Sequence, residues 1–451
     1  MLELIASIPL VGGLLATVLP FVVVLGIVVF VHEYGHYIVG RWCGIKAEVF
    51  SLGFGPVLTS WIDRHGTRWQ VAALPLGGYV KFVGDVDGSS RGDPKILESL
   101  SPDAWAHAFH GAAVWKRMLT VLAGPVFNFI LSAVMFAVMF SWQGVVKSPP
   151  TIGEIVNFPE REQIDIAPGD VVRAVEGQDI ERFGDLYRIV QELGEVRPIQ
   201  LTIEREGRVF DTQVPYPLPP MVFGVEPLSP ASRAGLEIGD YILSANGKTL
   251  NAFEDLRTVV MAAGDTRIPL SVWRDGEVLD LSIMPTLRAA EDGDGGFEER
   301  VMIGVAGGSA YIADTRTPAP WSAAWMGVEQ VWTIIKLTVN GLAHIISGDI
   351  SAKNIQGPIG IAQISGESAT QGWGNFWFLI GLISTTIGLL NLFPIPILDG
   401  GHLVIFTYEA ITGRPPADSV LQVAMSIGLA MVLLLMVFAT YNDVMRLLFV
   451  S

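Results

Sequence analysis

The sequence predicts a multi-pass α-helical membrane protein. It has four transmembrane helices, a membrane-associated β-hairpin region and two tandem β-rich domains. Three observations carry that prediction: four long charge-free windows, an interval of ordinary polarity between the second and third, and a repeat inside that interval. Half of the 451 residues are hydrophobic and 16% are charged, against roughly 25% in an average soluble protein. Mean hydropathy is +0.46. A net charge of −16 excludes nucleic acid as the main partner, because phosphate binding needs clustered Lys and Arg. The lipid bilayer is the expected surrounding. The lone cysteine, Cys43, excludes an internal disulfide and a Cys-rich metal site. Any metal chemistry therefore falls to His, Asp and Glu.

The charge-free windows run Leu4 to Val31, Met118 to Val146, Ser368 to Leu398 and Ser419 to Asn442. Each exceeds the roughly 20 apolar residues that a spanning helix needs. They predict spans near 14–40, 118–142, 375–398 and 422–445. A cleaved signal peptide is not expected, since residues 1–13 carry no Lys or Arg and the apolar run ends in charged residues. Trp321 to Ser347 contains Glu329 and Lys336, with Trp321, Trp325 and Trp332 at helical spacing. That pattern predicts a helix lying at the interface.

Between the first two spans, Val49–Pro56, Thr67–Val71 and Leu74–Phe82 alternate aromatic and β-branched residues bounded by Gly and Pro. These are hairpin signals. Residues 84–103 are rich in Gly, Ser and Asp and read as a surface loop. Between spans two and three lie roughly 220 residues, enough for one or two soluble domains. Ile166-Ala167-Pro168-Gly169-Asp170 matches Leu236-Glu237-Ile238-Gly239-Asp240, and Phe183-Gly184-Asp185-Leu186 matches Phe253-Glu254-Asp255-Leu256. Arg205-Glu206-Gly207 matches Arg274-Asp275-Gly276. An offset near 70 residues in all three predicts two copies of one small β-rich domain. The expected parts are 1–43, the first span; 44–113, the hairpin loop; 114–146, the second span; 148–216 and 221–287, the two domains; 288–372, a linker and interfacial helix; and 373–451, the last two spans.

The first span ends in His32-Glu33-Tyr34-Gly35-His36. On a helix, H-E-x-x-H puts both imidazoles on one face, about 6 Å apart along the axis. That suits two ligands of a tetrahedral Zn²⁺, with Glu33 next to a water at the same metal. A five-residue pattern often binds nothing, but a Glu and two His at membrane depth are costly without partners. Two neutral imidazoles, one Zn²⁺ and two carboxylates sum to about zero charge, a tolerable arrangement in low dielectric. The acidic residues near the last two spans are Asp399, Glu409, Asp418 and Asp443. Asp399 follows two prolines and precedes two glycines. Broken helix at membrane depth is tolerated only where it is buried in protein or lines a wet cavity. Asp399 is the expected third ligand. Topology agrees, since four spans place it on the side of the His pair and a fifth would not. Arg41, Lys46, Lys116 and Arg117 flank the spans on that side, which makes it the cytoplasm. The repeated domains then face outward.

Together, His32–His36, Gly53-Phe54-Gly55, Pro75-Leu76-Gly77-Gly78-Tyr79-Val80-Lys81, Gly124-Pro125-Val126-Phe127-Asn128-Phe129 and Asn391-Leu392-Phe393-Pro394-Ile395-Pro396-Ile397-Leu398-Asp399-Gly400 resemble the site-2 protease family of intramembrane zinc metalloproteases. The resemblance covers nearly the whole chain. It implies His32, His36 and Asp399 as ligands of one Zn²⁺ and Glu33 as catalytic acid/base. Asn391, Pro394 and Pro396 are implied as substrate-binding, and Asn128 as a substrate-binding helper near the site; the alternative for both Asn residues is a hydrogen bond to another helix. The repeats are implied to be PDZ-like domains in the periplasm of a cell inner-membrane protein. Implied substrates are pre-trimmed single-span membrane proteins of the anti-sigma-factor type and remnant signal peptides.

Hydrolysis in a bilayer also requires the substrate helix to unwind, and an edge strand that pairs with it offsets the exposed backbone. The hairpin region is expected to supply that edge, at Val71. For the PDZ-like pair a size gate is favoured over capture of a C-terminus, because the one carboxylate-type loop, Met221–Val225, has no basic residue near it. The competing reading is a non-enzymatic metal-binding PDZ scaffold, which would be expected to lack Glu33.

Overall fold

The computed structural model describes residues 12–85, 100–157, 165–194, 198–291 and 297–449. Most of the polar loop expected at 84–103 lies outside the described residues. The chain divides into two compact units. One comprises Met1–Met139, Trp321–Ala343 and Ile355–Ser451, the other Phe140–Pro320 and His344–Asn354.

In the first unit, four helices are long and apolar enough to cross a membrane: Leu15–Trp42, Val114–Gln143, Trp373–Asn391 and Ser419–Leu448. The third stops at Asn391, short of the expected 398. Pro394 and Pro396 lack the N–H that the helical ladder needs, and the backbone turns tightly through Ile395 N–H to Phe393 O and Leu398 N–H to Ile395 O. A new helix, Asp399–Thr412, begins at the acidic residue. Two other acidic residues near these spans are engaged elsewhere. Glu409 makes a two-point ion pair with Arg117. Asp443 is buried and accepts from Gly357 N–H and Gly360 N–H at the start of the Pro358–Thr370 helix, where the helix dipole favours an anion. The Pro320–Ser347 helix buries Ala323, Gly327, Val331 and Ile334 along one stripe and exposes Trp321, Trp325 and Trp332. Its buried face meets the second long helix so closely that a Cβ on Gly327 would sit 2.2 Å from the Ala133 carbonyl oxygen.

The hairpin region is built from two long strands, Ala47–Ile62 and Arg68–Phe82. Both bend and pair twice, so that Val49 faces both Lys81 and Arg68. Gly53 and Gly55 take positive φ and turn the first strand. The segments lie in the order 78–82, 47–52, 68–71, 59–62. Val71 is therefore interior, between Leu52 and Thr59, and is not the edge expected from sequence. Gly78–Phe82 is an outer segment. The sheet is tied to the first helix by Tyr37 Oη–H and Trp69 Nε1–H, which both donate to Asp63 Oδ2.

The second unit holds the two repeats. Strands Val171–Val175, Gln178–Asp179, Ile199–Arg205 and Arg208–Val214 form one four-stranded sheet. Tyr241–Ala245, Lys248–Thr249, Ile268–Arg274 and Glu277–Ile283 form the other, in the same order. Each copy buries one helix face, with Leu186 and Ile189 in the first and Leu256 and Val260 in the second. The sequence matches are explained by contact. Asp170 of the first Gly-Asp turn is buried and receives Arg205 Nε–H and Nη2–H at 2.7 Å each. Asp240 receives Arg274 in the same way at 2.6 and 2.7 Å. Burial pushes the Asp170 carboxyl up, and the Arg205 guanidinium with the Ala167 amide more than offsets this, holding it below the usual carboxylate range.

The chain after the second repeat does not read as a plain linker. Val305–Gly307 pairs with Val222–Val225 of the second copy, and Tyr311–Ala313 with Ile152–Ile155 of the first. Tyr311 is fully buried in the first core. The two β-rich domains thus extend past the expected limits of 216 and 287.

Candidate metal centre

One helical turn separates His32 from His36, and their rings meet edge to face with centroids 4.8 Å apart. The two Nε2 atoms are 3.2 Å apart. Asp399, brought in at the start of its helix by the proline turn, places Oδ2 3.2 Å from His32 Nε2 and 3.5 Å from His36 Nε2. Among the described residues these three form a group whose ligand atoms lie within 4.8 Å of one another. Glu33 lines the same cavity, of about 190 Å³, with Val80 and Asn391.

The surroundings fit a cation. Asp399 Oδ2 is buried and has no hydrogen-bond donor, a costly state for a carboxylate unless a positive centre faces it. His36 Nδ1–H donates to the Thr120 carbonyl at 2.8 Å, which leaves the Nε2 lone pair pointing toward Asp399. Metal-ligating histidines are commonly held by such an acceptor on the other nitrogen. Gly124 completes the cradle. A Cβ there would lie 2.3 Å from His36 Nε2 and 2.8 Å from His32 Cε1. The small residue is what lets the second long helix pass behind both imidazoles.

The residues implied as substrate-binding are not placed alike. Asn391 is on the cavity wall. Pro394 and Pro396 form the turn that delivers Asp399 and are absent from that wall. Asn128 is fully buried behind His32, with Nδ2 at 3.2 Å from His32 Nδ1, and also does not line the cavity. His402 does line it. His110 lies 3.4 Å from the buried Asp85 carboxylate.

Sequence reasoning missed Thr120, Gly124 and Val80. The Thr120 and Val80 backbone groups carry no side-chain signal. Gly124 sits inside Gly124-Pro125, where the close approach of another helix is invisible along the chain. Val80, on the outer segment of the sheet, lines the cavity together with Glu33.

Comparison with known proteins gives a consistent result. Residues 20–435 match Peptidase family M50. A protein of Agrobacterium fabrum named as a zinc metalloprotease is 36% identical over 442 residues, covering 97% of this chain and 98% of the relative. One from Rhizobium meliloti, similarly named, is 37% identical over 437 residues, covering 96% of this chain and 98% of the relative. The regulator of sigma-E protease RseP of Salmonella typhimurium is 33% identical over 452 residues, covering 95% and 98%.

Proposed function

The chain belongs to peptidase family M50, and from that premise we propose that it is a zinc endopeptidase of the inner membrane that cuts substrates within the bilayer. The observation that carries the reading is the convergence of His32, His36 and Asp399 on one point beside Glu33, with both histidines and Glu33 on a helix apolar enough to span. His32, His36 and Asp399 would hold the zinc, which when bound supplies a Lewis acid that polarises the scissile carbonyl and acidifies water toward a pKa of about 7. Glu33 takes a proton from the attacking water and passes it to the departing amine. Glu33→Gln is expected to lower cleavage of a model membrane peptide by at least about 10²-fold, with zinc retained on metal analysis. Undiminished turnover would remove Glu33 as the acid/base, and a parent protein that binds zinc but cuts nothing would favour the scaffold.

Gly78–Phe82 is suited to receive the substrate. It is an outer segment of its sheet, and Val80 and Phe82 border the cavity. An unwound substrate that pairs with this edge keeps its backbone hydrogen-bonded while its carbonyl reaches the site. A model substrate methylated on the backbone N–H groups beside the scissile bond loses that pairing while the protein stays unchanged. Slower cleavage at unchanged zinc content is expected; unchanged turnover refutes the edge role.

The named activity of the Salmonella relative supports substrates of the anti-sigma-factor type, already trimmed outside the membrane. Remnant signal peptides share the same form, a single apolar helix with little attached. The Arg41, Lys46, Lys116 and Arg117 cluster supports a site open to the cytoplasm, with the two β-rich, PDZ-like domains in the periplasm acting as a size gate. A second reading of those domains has its own support. Between the Phe253–Ala263 helix and residues 299–305 lies a cavity of about 560 Å³ lined by Leu256, Val260, Val301 and Ile303, with Arg257 and Arg300 at it. This groove has the basic residues that the Met221–Val225 loop lacks, and it suits an extended apolar C-terminus.

A further inference from the structure

The two imidazoles have different partners behind them. His36 Nδ1 faces a backbone carbonyl, Thr120 O, which can only accept. His32 Nδ1 faces the side-chain amide of Asn128, which presents either a donor or an acceptor according to its rotation about χ2. Asn128 is completely buried. Its backbone carbonyl is gripped by Ser384 Oγ–H at 2.9 Å and by Ser132 Oγ at 3.0 Å, which fixes where the side chain starts. With Nδ2 toward His32, the amide oxygen has no donor. One end of this amide goes unpartnered in either rotation, so the state of His32 decides which.

A metal at the Asp399 side needs the Nε2 lone pair of His32, and therefore a hydrogen on Nδ1. A donor facing that hydrogen repels it. A half-turn about χ2 fills the same volume and puts Oδ1 there instead. We propose that Asn128 is the positioning residue of His32: its amide oxygen accepts Nδ1–H, fixes the metal-binding tautomer and sets the ring plane. It does this from behind the site, without touching substrate. The substrate role implied by family resemblance is replaced, because Asn128 has no surface on the cavity that the substrate enters. The proposal rests on reading His32, His36 and Asp399 as a zinc site.

The test is zinc affinity of the purified full-length protein in detergent, measured by chelator competition, with cleavage followed in parallel. Asn128→Ala is expected to weaken zinc binding by roughly 10- to 100-fold and to leave KM unchanged once zinc saturates. Asn128→Asp, which can only accept when ionised, is expected to hold affinity within a few-fold of the parent. Asn128→Leu, which fills the site without an acceptor, is expected to lose zinc affinity as Asn128→Ala does, whereas a packing role alone would keep its affinity near the parent's. Parental zinc affinity in Asn128→Ala together with a raised KM would overturn the assignment and return Asn128 to the substrate. Loss of affinity in Asn128→Asp equal to that in Asn128→Ala would also overturn it. His32→Ala separates this from the underlying reading. Zinc binding that survives His32→Ala removes the metal site itself, whereas binding that needs His32 and ignores Asn128 removes only the present proposal.

Discussion

At the scale of single residues, the centre depends on what is missing as much as on what is present. Gly124 has no side chain, and both imidazoles occupy the space where one would be. Adding a methyl group improves helix propensity by up to about 1 kcal/mol but drives into His36 Nε2. Gly124→Ala is therefore expected to lose zinc by metal analysis, with no drop in the melting temperature of the zinc-free protein. Full zinc occupancy in that variant would mean the rings can move aside. His32, Glu33, His36 and Asp399 were legible as one candidate centre because their chemistry is written in residue type and spacing. Gly124 was present in a recognised motif, yet its function there is steric and needs the neighbouring helix to be seen. Asn128 was legible as a polar residue in an apolar span, and only its burial separates a partner of His32 from a partner of substrate.

At the scale of elements, one anchored helix delivers Asp399. The Asp399–Thr412 helix is held ten residues further on by Glu409, whose oxygens receive Arg117 Nη1–H at 3.1 Å and Nη2–H at 2.7 Å. Arg117 also donates to the Ala112 carbonyl and lies 5.0 Å over the Phe406 ring. Both charges are largely buried, so removing one strands the other at a cost of about 3 kcal/mol. Glu409→Ala is expected to lower the melting temperature and to weaken zinc binding. Arg117→Glu with Glu409→Arg should recover part of both, as a double-mutant cycle would show. A cycle with no coupling would mean the proline turn positions Asp399 without help. The sequence pointed to Arg117 only as a flanking charge, because its partner lies 292 positions away. The repeats were legible for the opposite reason. In each copy the Asp of the Gly-Asp turn and the Arg of Arg-x-Gly bind each other, so both ends of one contact recur at the same offset.

At the scale of the whole molecule, the β-rich domains are closed by chain that follows them. Removing 148–287 leaves Val305–Gly307 and Tyr311–Ala313 without their partner strands, an exposed-edge hazard. Val145–Val146 pairs with Thr315–Arg316, so excision of 147–314 removes the domains whole and leaves a natural join. That variant is expected to cleave substrates that still carry a bulky outer domain, scored by gel against the parent. Continued rejection would remove the gate. By itself the sequence determined the apolar spans, the repeat and the residue types of the candidate centre, since each is set by composition and local period. Only the tertiary structure decided which strand is outer, where the domains close, and how Gly124, Thr120, Asn128 and Arg117 pack around the candidate centre and its helix. Those are contacts between segments far apart in the chain, formed where packing brings surfaces together, and no local pattern encodes them.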